Sequence, residues 1–311
     1  MTRLLVALTL AGVGALANTP PQRAPETRTS ARLHISAVAL DRDDRPVTDL
    51  RKGDLEVWIG GYRVPIENLT AVTTSSDARD GRRIVLLLDD MTLEPVLTAR
   101  VREIARRFVN RMAPGDEMAV VALNGDAMES TSDPVRLLRS IETCNLQRAG
   151  IVRLDAAGEH VLETIASLSR QLAEASDGPK AIVAIGAGWL FDTPIPPPTV
   201  GRDLRREWTD AMRATASADA QVYVIDPAGV GASRFGGGSS GFARETGGHA
   251  FLNTNDFSGA VDRIMRETWS YYVITVADPP VRRKDDLREL DVRVLRRGVT
   301  VRARRAILGR Q

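Results

Sequence analysis

Two carboxylates, Asp89 and Asp90, stand directly after the apolar run Ile84-Val85-Leu86-Leu87-Leu88, and Thr92 and Glu94 follow at two-residue spacing. Oxygen donors of this kind suit a hard cation such as Mg²⁺. Other apolar runs end in polar turns as well: Asn124-Gly125-Asp126, Gly186-Ala187-Gly188 and Asp226-Pro227. Catalytic alternatives are poorly matched. Asp89-Asp90-Met91-Thr92 has part of the Asp-x-Asp-x-Thr pattern of aspartyl phosphatases, but Met91 stands where a general acid is needed. Gly237-Gly238-Ser239-Ser240-Gly241 has the G-x-S-x-G spacing of a nucleophile elbow, which requires a strand running into a sharp turn. It lies in a glycine-rich run from Gly231 to Gly241 that has no strand pattern and reads as a flexible loop. His34 falls on the polar side of a strand, while His160 and His249 begin a helix and a strand; none has a partner at metal-ligand spacing. The single cysteine, Cys144, excludes an intrachain disulfide and a multi-cysteine metal site.

The elements that must position these residues are legible from periodicity. Residues 31–80 are β and turns: Leu33, Ile35, Ala37 and Ala39 alternate, and Leu55-Val57-Ile59 and Tyr62-Val64-Ile66 flank Gly60-Gly61 as a tight hairpin. From Ile84 the character changes to continuous apolar runs, the mark of strands buried on both faces, at 84–88, 118–123, 181–185 and 222–225. Between them, apolar residues recur at helical spacing, as in Val101, Ile104, Ala105 and Phe108. Strands alternating with helices over 81–268 predict an α/β unit, a doubly wound, mostly parallel and Rossmann-like sheet with right-handed crossovers. Residues 269–311 return to alternating β segments, including Val292, Val294, Val299 and Val301. Neither β flank is comfortable as a free-standing domain, so the two are expected to pair into a small β-sandwich into which the α/β unit is inserted. In an open parallel sheet, ligands bind at the carboxyl ends of the strands, which is where the carboxylate turns fall.

The leading strand ending in Asp89, the turn Pro114-Gly115-Asp116-Glu117 and the segment Ala243-Arg244-Glu245-Thr246-Gly247-Gly248-His249-Ala250-Phe251, followed by Asn255-Asp256, together resemble a von Willebrand factor A (VWA) domain. The flanks, Asp44 to Val57 and Tyr271 to Arg304, are similar to those of the acidobacterial-type VWFA-related exported proteins. The resemblance covers about residues 32–306. It implies a protein-interaction (adhesion or scaffold) module rather than an enzyme, and a Mg²⁺ site built from Asp-x-Ser-x-Ser, a Thr from a second loop and a further Asp. Here Met91 and Leu93 replace the two serines and Gly186 the later Asp, while Asp155 is the nearest oxygen donor for the second loop. Asp89, Asp90 and Thr92 are therefore the candidate ligands of a degraded site, with capping of the following helix as the competing role of the two aspartates. No other cofactor is implied. Glu94, Asp126, Trp189 and Phe191 are the candidate contacts for a protein partner, although Trp189 and Phe191 are equally suited to packing against a neighbouring helix. A hydrolase using the carboxyl edge and a ligand-free envelope scaffold are the alternatives.

The chain's 311 residues suit two domains, and 43% apolar and 26% charged residues exclude collagenous, disordered and multi-spanning membrane classes. Met1-Thr2-Arg3, the apolar stretch Leu4–Ala17 and Ala15-Leu16-Ala17 read as a signal peptide cleaved near Ala17, too short to span a membrane. Residues 18–30 read as a polar, proline-rich linker. The mature protein is expected to be periplasmic or extracellular. Basic and acidic residues nearly balance at 42 and 40, but residues 281–311 hold eleven basic and four acidic side chains. That excess could meet an anionic envelope surface; alternation of Arg302 and Arg304 with Val301 and Ala303 instead suggests the solvated face of a strand. Sparse aromatics argue against nucleic acid.

Overall fold

The computed structural model describes residues 32–73, 81–125, 129–146, 154–175, 178–186, 203–231, 237–277 and 287–308. The expected signal peptide and linker, Asp126, Trp189 and Phe191 lie outside the described residues, and Asp155 falls in the first turn of a helix. Among those described, no helix is long and apolar enough to cross a membrane.

The α/β unit is a doubly wound, Rossmann-like fold built on one parallel sheet. Its sheet contains β5 (Arg83–Leu88), β6 (Glu117–Ala122), β7 (Lys180–Ile185), β8 (Ala220–Ile225) and β9 (Ala250–Phe251), all parallel and ordered β6-β5-β7-β8-β9. Successive side chains of a strand point to opposite faces, and both faces are covered. Ile84, Leu86 and Leu88 of β5 pack with α1 (Thr98–Val109), α2 (Pro134–Thr143) and α6 (Phe257–Trp269). Val85 and Leu87 pack with α3 (Leu154–Glu174), α4 (Arg205–Ala218) and α5 (Gly237–Glu245) on the other side. Each fully buried Leu, Ile or Val contributes about 1.5–3 kcal/mol. Two helices depart from the sequence reading. α2 begins where Asp133 accepts from the amides of Val135 and Arg136 (2.9 and 3.4 Å), with Pro134 in the first turn. α5 starts at Gly237, so the G-x-S-x-G segment opens a helix rather than lying in a flexible loop.

The flanks form the sandwich. One sheet is ordered β12-β1-β10-β4 and the other β13-β11-β2-β3, from β1 (Arg32–Leu40), β2 (Leu55–Ile59), β3 (Tyr62–Val64), β4 (Ile66–Thr73), β10 (Ser270–Ala277), β11 (Leu287–Val294), β12 (Thr300–Ala303) and β13 (Ala306–Leu308). N- and C-terminal strands pair antiparallel in both sheets, β1 with β10 and β2 with β11. Leu33, Ile35, Val57, Ile274 and Leu290 fill the space between them. Helix α6 ends at Trp269 and β10 starts at Ser270, so the α/β unit passes into the sandwich without a linker.

The junction is polar and buried. Glu267 of α6, 1% exposed, takes Nε of Arg263 at 2.9 Å and pairs with Arg302 of β12. Arg263 reaches Asp44 in the turn after β1 at 2.9 Å. Tyr223 of β8 is buried beside this carboxylate, and its hydroxyl donates to Gln221 Oε1 at 2.8 Å. Burial first, and the charge of Glu267 second, hold the phenol well above its usual range. Arg304, 6% exposed, pairs with Asp219 at 2.9 Å and donates to the carbonyls of Thr215 and Ala220. The reading of Arg302 and Arg304 as a solvated strand face is therefore corrected: at the end of β12 both turn into the α/β unit, Arg302 to the Glu267 carboxylate and Arg304 to Asp219 and backbone carbonyls. Before β5, buried Arg82 pairs with Asp116 and stacks 4.7 Å from the Trp269 ring centroid.

His249 sits at this junction just before β9, and burial, followed by the nearby Arg302 and Arg263, depresses its pKa to about 4. The folded protein holds the ring neutral, whereas the unfolded chain protonates it near its ordinary value of about 6.5. The unfolded state then binds more protons between the two values, so stability is full above about pH 6.5 and declines as pH falls toward 4. Chemical denaturation at pH 7 and pH 5 is expected to show this loss in the wild type and a smaller loss in His249→Gln. An equal loss in both proteins refutes the assignment.

Candidate functional site

In the strand order β6-β5-β7-β8-β9, the chain leaves β5 toward one edge and β7 toward the other. The carboxyl ends of β5 and β7 thus flank the topological switch point, the usual crevice for a ligand in such sheets. Asp89 sits there, 1% exposed, its amide bonded to the carbonyl of Ile185 at 3.1 Å. Its side chain folds back onto its own loop. Oδ1 accepts from the amides of Met91 and Thr92 at 3.0 and 2.8 Å, and Oδ2 accepts from Thr92 Oγ1 at 2.5 Å. Across the crevice, a Cβ placed on Gly186 would come within 2.6 Å of Asp89 Cβ and 2.9 Å of its Oδ2. The carboxylate therefore occupies the space that a side chain at 186 would need.

The neighbouring residues fix the loop from below. Met91 and Leu93 are 8% and 2% exposed and belong to the apolar clusters on opposite faces of the sheet. Asp90 is buried and accepts from the amide of Asn124 at 2.9 Å, tying the β5 and β6 loops together. Neither aspartate caps α1, which starts only at Thr98 after a 3-10 turn at Pro95–Leu97; the capping role is corrected to closure of the preceding loop. Glu94 is exposed at the start of that turn. Among the described residues, no group of three or more His, Cys, Asp or Glu is placed to hold a metal ion.

The structure adds residues that sequence reasoning did not single out. Val96 and Val230 are 79% and 62% exposed, and they rise from the β5–α1 and β8–α5 loops of the same sheet edge. The second loop is held rigidly beneath Val230. Arg100 Nη1 donates to the carbonyl of Pro227 at 2.6 Å, Asn255 Oδ1 accepts from the amide of Val230 at 3.3 Å, and Asn253 Oδ1 accepts from that of Gly231 at 2.7 Å. Asp226 turns into the same loop and accepts from the amide of Ala228 at 2.8 Å. Large exposed aliphatics flanked by polar turns were invisible to a search for chemistry-bearing residues. Their signal was only their place, one step beyond a strand's carboxyl end.

The remaining candidates fall elsewhere. Ser239 is fully buried inside α5, and its hydroxyl has no hydrogen-bond partner among the described residues. Position His160 lies within α3 rather than at its start, its Nε2 2.7 Å from the carbonyl of Leu123, while His34 Nδ1 lies 3.2 Å from Thr275 Oγ1. In the basic tail, Arg293 and Arg296 pair with Asp291 and Asp49, each at 2.6 Å. With Arg302 and Arg304 turned inward, the positive face is smaller than the composition of the tail suggests.

The crevice can be tested by filling it. Gly186→Ala is expected to lower stability by about 1–3 kcal/mol, the usual cost of overpacking a closed site, measured by urea denaturation. A neutral result would mean that Asp89 yields freely and that the crevice is open.

Among solved structures, the chain is similar to an aerotolerance-related membrane protein from Bacteroides fragilis at 17% identity, covering 60% of this chain and 98% of that one with a TM-score of 0.43. It is similar to BatB from Bacteroides thetaiotaomicron at 15% identity, 60% and 98% coverage and a TM-score of 0.42. Manganese-loaded TRAP protein from Plasmodium vivax matches at 12% identity, 76% and 96% coverage and a TM-score of 0.39. No family model and no curated protein matches the chain.

Proposed function

We propose that this chain is an exported, non-enzymatic protein-interaction module, a VWA-like domain carried on a β-sandwich, whose metal-ion-dependent adhesion site is degraded. The observation that carries the reading is the closure of the switch-point crevice by Asp89. Both of its oxygens are engaged by the Met91 and Thr92 amides and the Thr92 hydroxyl, in space that a side chain at Gly186 would take. The residues do not fit a Mg²⁺ shell: buried Met91 and Leu93 stand where hydroxyl donors are needed, and Gly186 offers no carboxylate. What the edge offers a partner is shape and apolar area. Val96 and Val230 stand exposed on constrained loops, with Glu94 beside the first, a pattern suited to an anchor and its polar rim. Export is supported by the basic start, the apolar stretch Leu4–Ala17 and its A-x-A-like end.

The test is capture from an envelope extract of the source organism with the purified mature protein as bait, with and without EDTA. Capture of one partner is expected in both conditions. It should be lost in the Val96→Asp/Val230→Asp variant, which keeps the wild-type unfolding temperature because both sites are exposed. Calorimetric titration of the same bait with Mg²⁺ and Mn²⁺ is expected to show no binding in the micromolar range. Divalent-dependent capture, or micromolar binding abolished in Asp89→Ala, overturns the degraded-site reading.

A further inference from the structure

The seam between the α/β unit and the sandwich does not close everywhere. Beside α5 and β9 on one side, and β11 and β12 on the other, a cleft of about 330 Å³ opens, with Ser240, Arg244 and His249 on its α/β wall and Asp291, Val301 and Arg305 on its sandwich wall. A second cleft of about 540 Å³ adjoins it and shares Leu290, Asp291 and Arg305. Both volumes fall within the ~300–1,000 Å³ of small-molecule sites, which concentrate where domains meet.

Charge distinguishes this cleft from an ordinary gap. Arg244, Arg302, Arg304 and Arg305 line it, against the single carboxylate of Asp291. Three of these five groups are already committed: Arg302 to Glu267, Arg304 to Asp219, and Asp291 to Arg293. Arg244 and Arg305 are exposed, and among the described residues neither guanidinium is held in an ion pair. Their backbones are nonetheless fixed against each other. The amide of Arg305 donates to the carbonyl of Glu245 at 2.8 Å, and that of Leu290 donates to the carbonyl of Arg305 at 2.7 Å. Burial pushes the Glu245 carboxyl up in spite of these two cations.

We infer that this cleft binds a small organic oxyanion, a phosphate monoester or a carboxylate, with its charged head between Arg244 and Arg305 and its apolar body against Val292 and Val301. Guanidinium forks match the oxygens of either head group, and the Ser240 hydroxyl on the cleft wall adds a donor. The inference is independent of the proposed partner-binding edge, which lies at the carboxyl ends of β5 and β8.

Calorimetric titration of the full chain with phenyl phosphate, benzoate and inorganic phosphate tests it. Saturable one-site binding of phenyl phosphate or benzoate is expected, and which of the two binds assigns the head group. Affinity should fall about tenfold or more in Arg244→Ala and in Arg305→Ala, and stay unchanged in Arg136→Ala, an exposed arginine on α2. Unchanged thermal unfolding of the apo variants separates lost binding from lost fold. Three results overturn the inference: no saturable binding of either organic anion, wild-type affinity retained in the Arg244→Ala and Arg305→Ala proteins, or inorganic phosphate binding as tightly as phenyl phosphate.

Discussion

A single buried carboxylate holds the two halves of the fold in register. Glu267 projects from α6 at 1% exposure and is met by Arg263 of its own helix and Arg302 of the sandwich. A buried charge of this kind is tolerable only when paired, and removing one partner of such a pair costs about 3–5 kcal/mol. The cations are therefore fixed by the anion as much as the reverse. Arg302 fixes β12, β12 pairs with β1, and β1 pairs with β10, which is the direct continuation of α6. The chain closes a ring around one ion cluster, and the insertion of an α/β unit into a sandwich becomes a single mechanical object.

The same junction explains the motif Thr246-Gly247-Gly248. Thr246 Oγ1 accepts from the amide of Val222 at 3.0 Å and donates to the carbonyl of Ala243 at 2.9 Å, which staples the end of α5 to β8. Gly247 has φ +87°, a conformation that favours glycine, and a Cβ there would lie 2.8 Å from the amide nitrogen of Arg304. A Cβ on Gly248 would lie 2.0 Å from the carbonyl oxygen of Val222. Each glycine permits a backbone approach, one between sheet and helix end, the other between the α/β unit and the sandwich.

Much of this fold was legible because burial on both faces leaves a simple signature. Continuous apolar runs such as Ile84–Leu88 have few readings other than a covered parallel strand. Helix α2 was missed although Asp133-Pro134 is a sound start signal, because only Leu137 and Ile141 of its residues are buried and two apolar positions make a faint period. The start of helix α5 was missed because glycines at 237, 238 and 241 oppose helix locally, and burial of Phe242 and Ala243 in the core outweighs them. Arg302 and Arg304 were misassigned for a related reason. Alternation identifies two faces of a strand, but which face meets solvent depends on what lies across from it, and the partners, Glu267 and Asp219, are distant in sequence.

The carboxyl edge shows how residue type and residue role separate. Asp89, Asp90 and Thr92 have the chemistry of cation ligands, and their spacing alone allows that use. Two neighbours shape the loop that carries them, and both act through packing rather than charge. Met91 and Leu93 bury themselves in opposite layers and draw the loop down onto the sheet, which brings the amides of residues 91 and 92 within reach of Asp89. Gly186 then withholds the side chain that would push the carboxylate outward. A carboxylate supplied with two amides and a hydroxyl within its own turn gains little from reaching into solvent. The edge thereby presents a loop closed on itself, with Val96 and Val230 as exposed apolar points beside it.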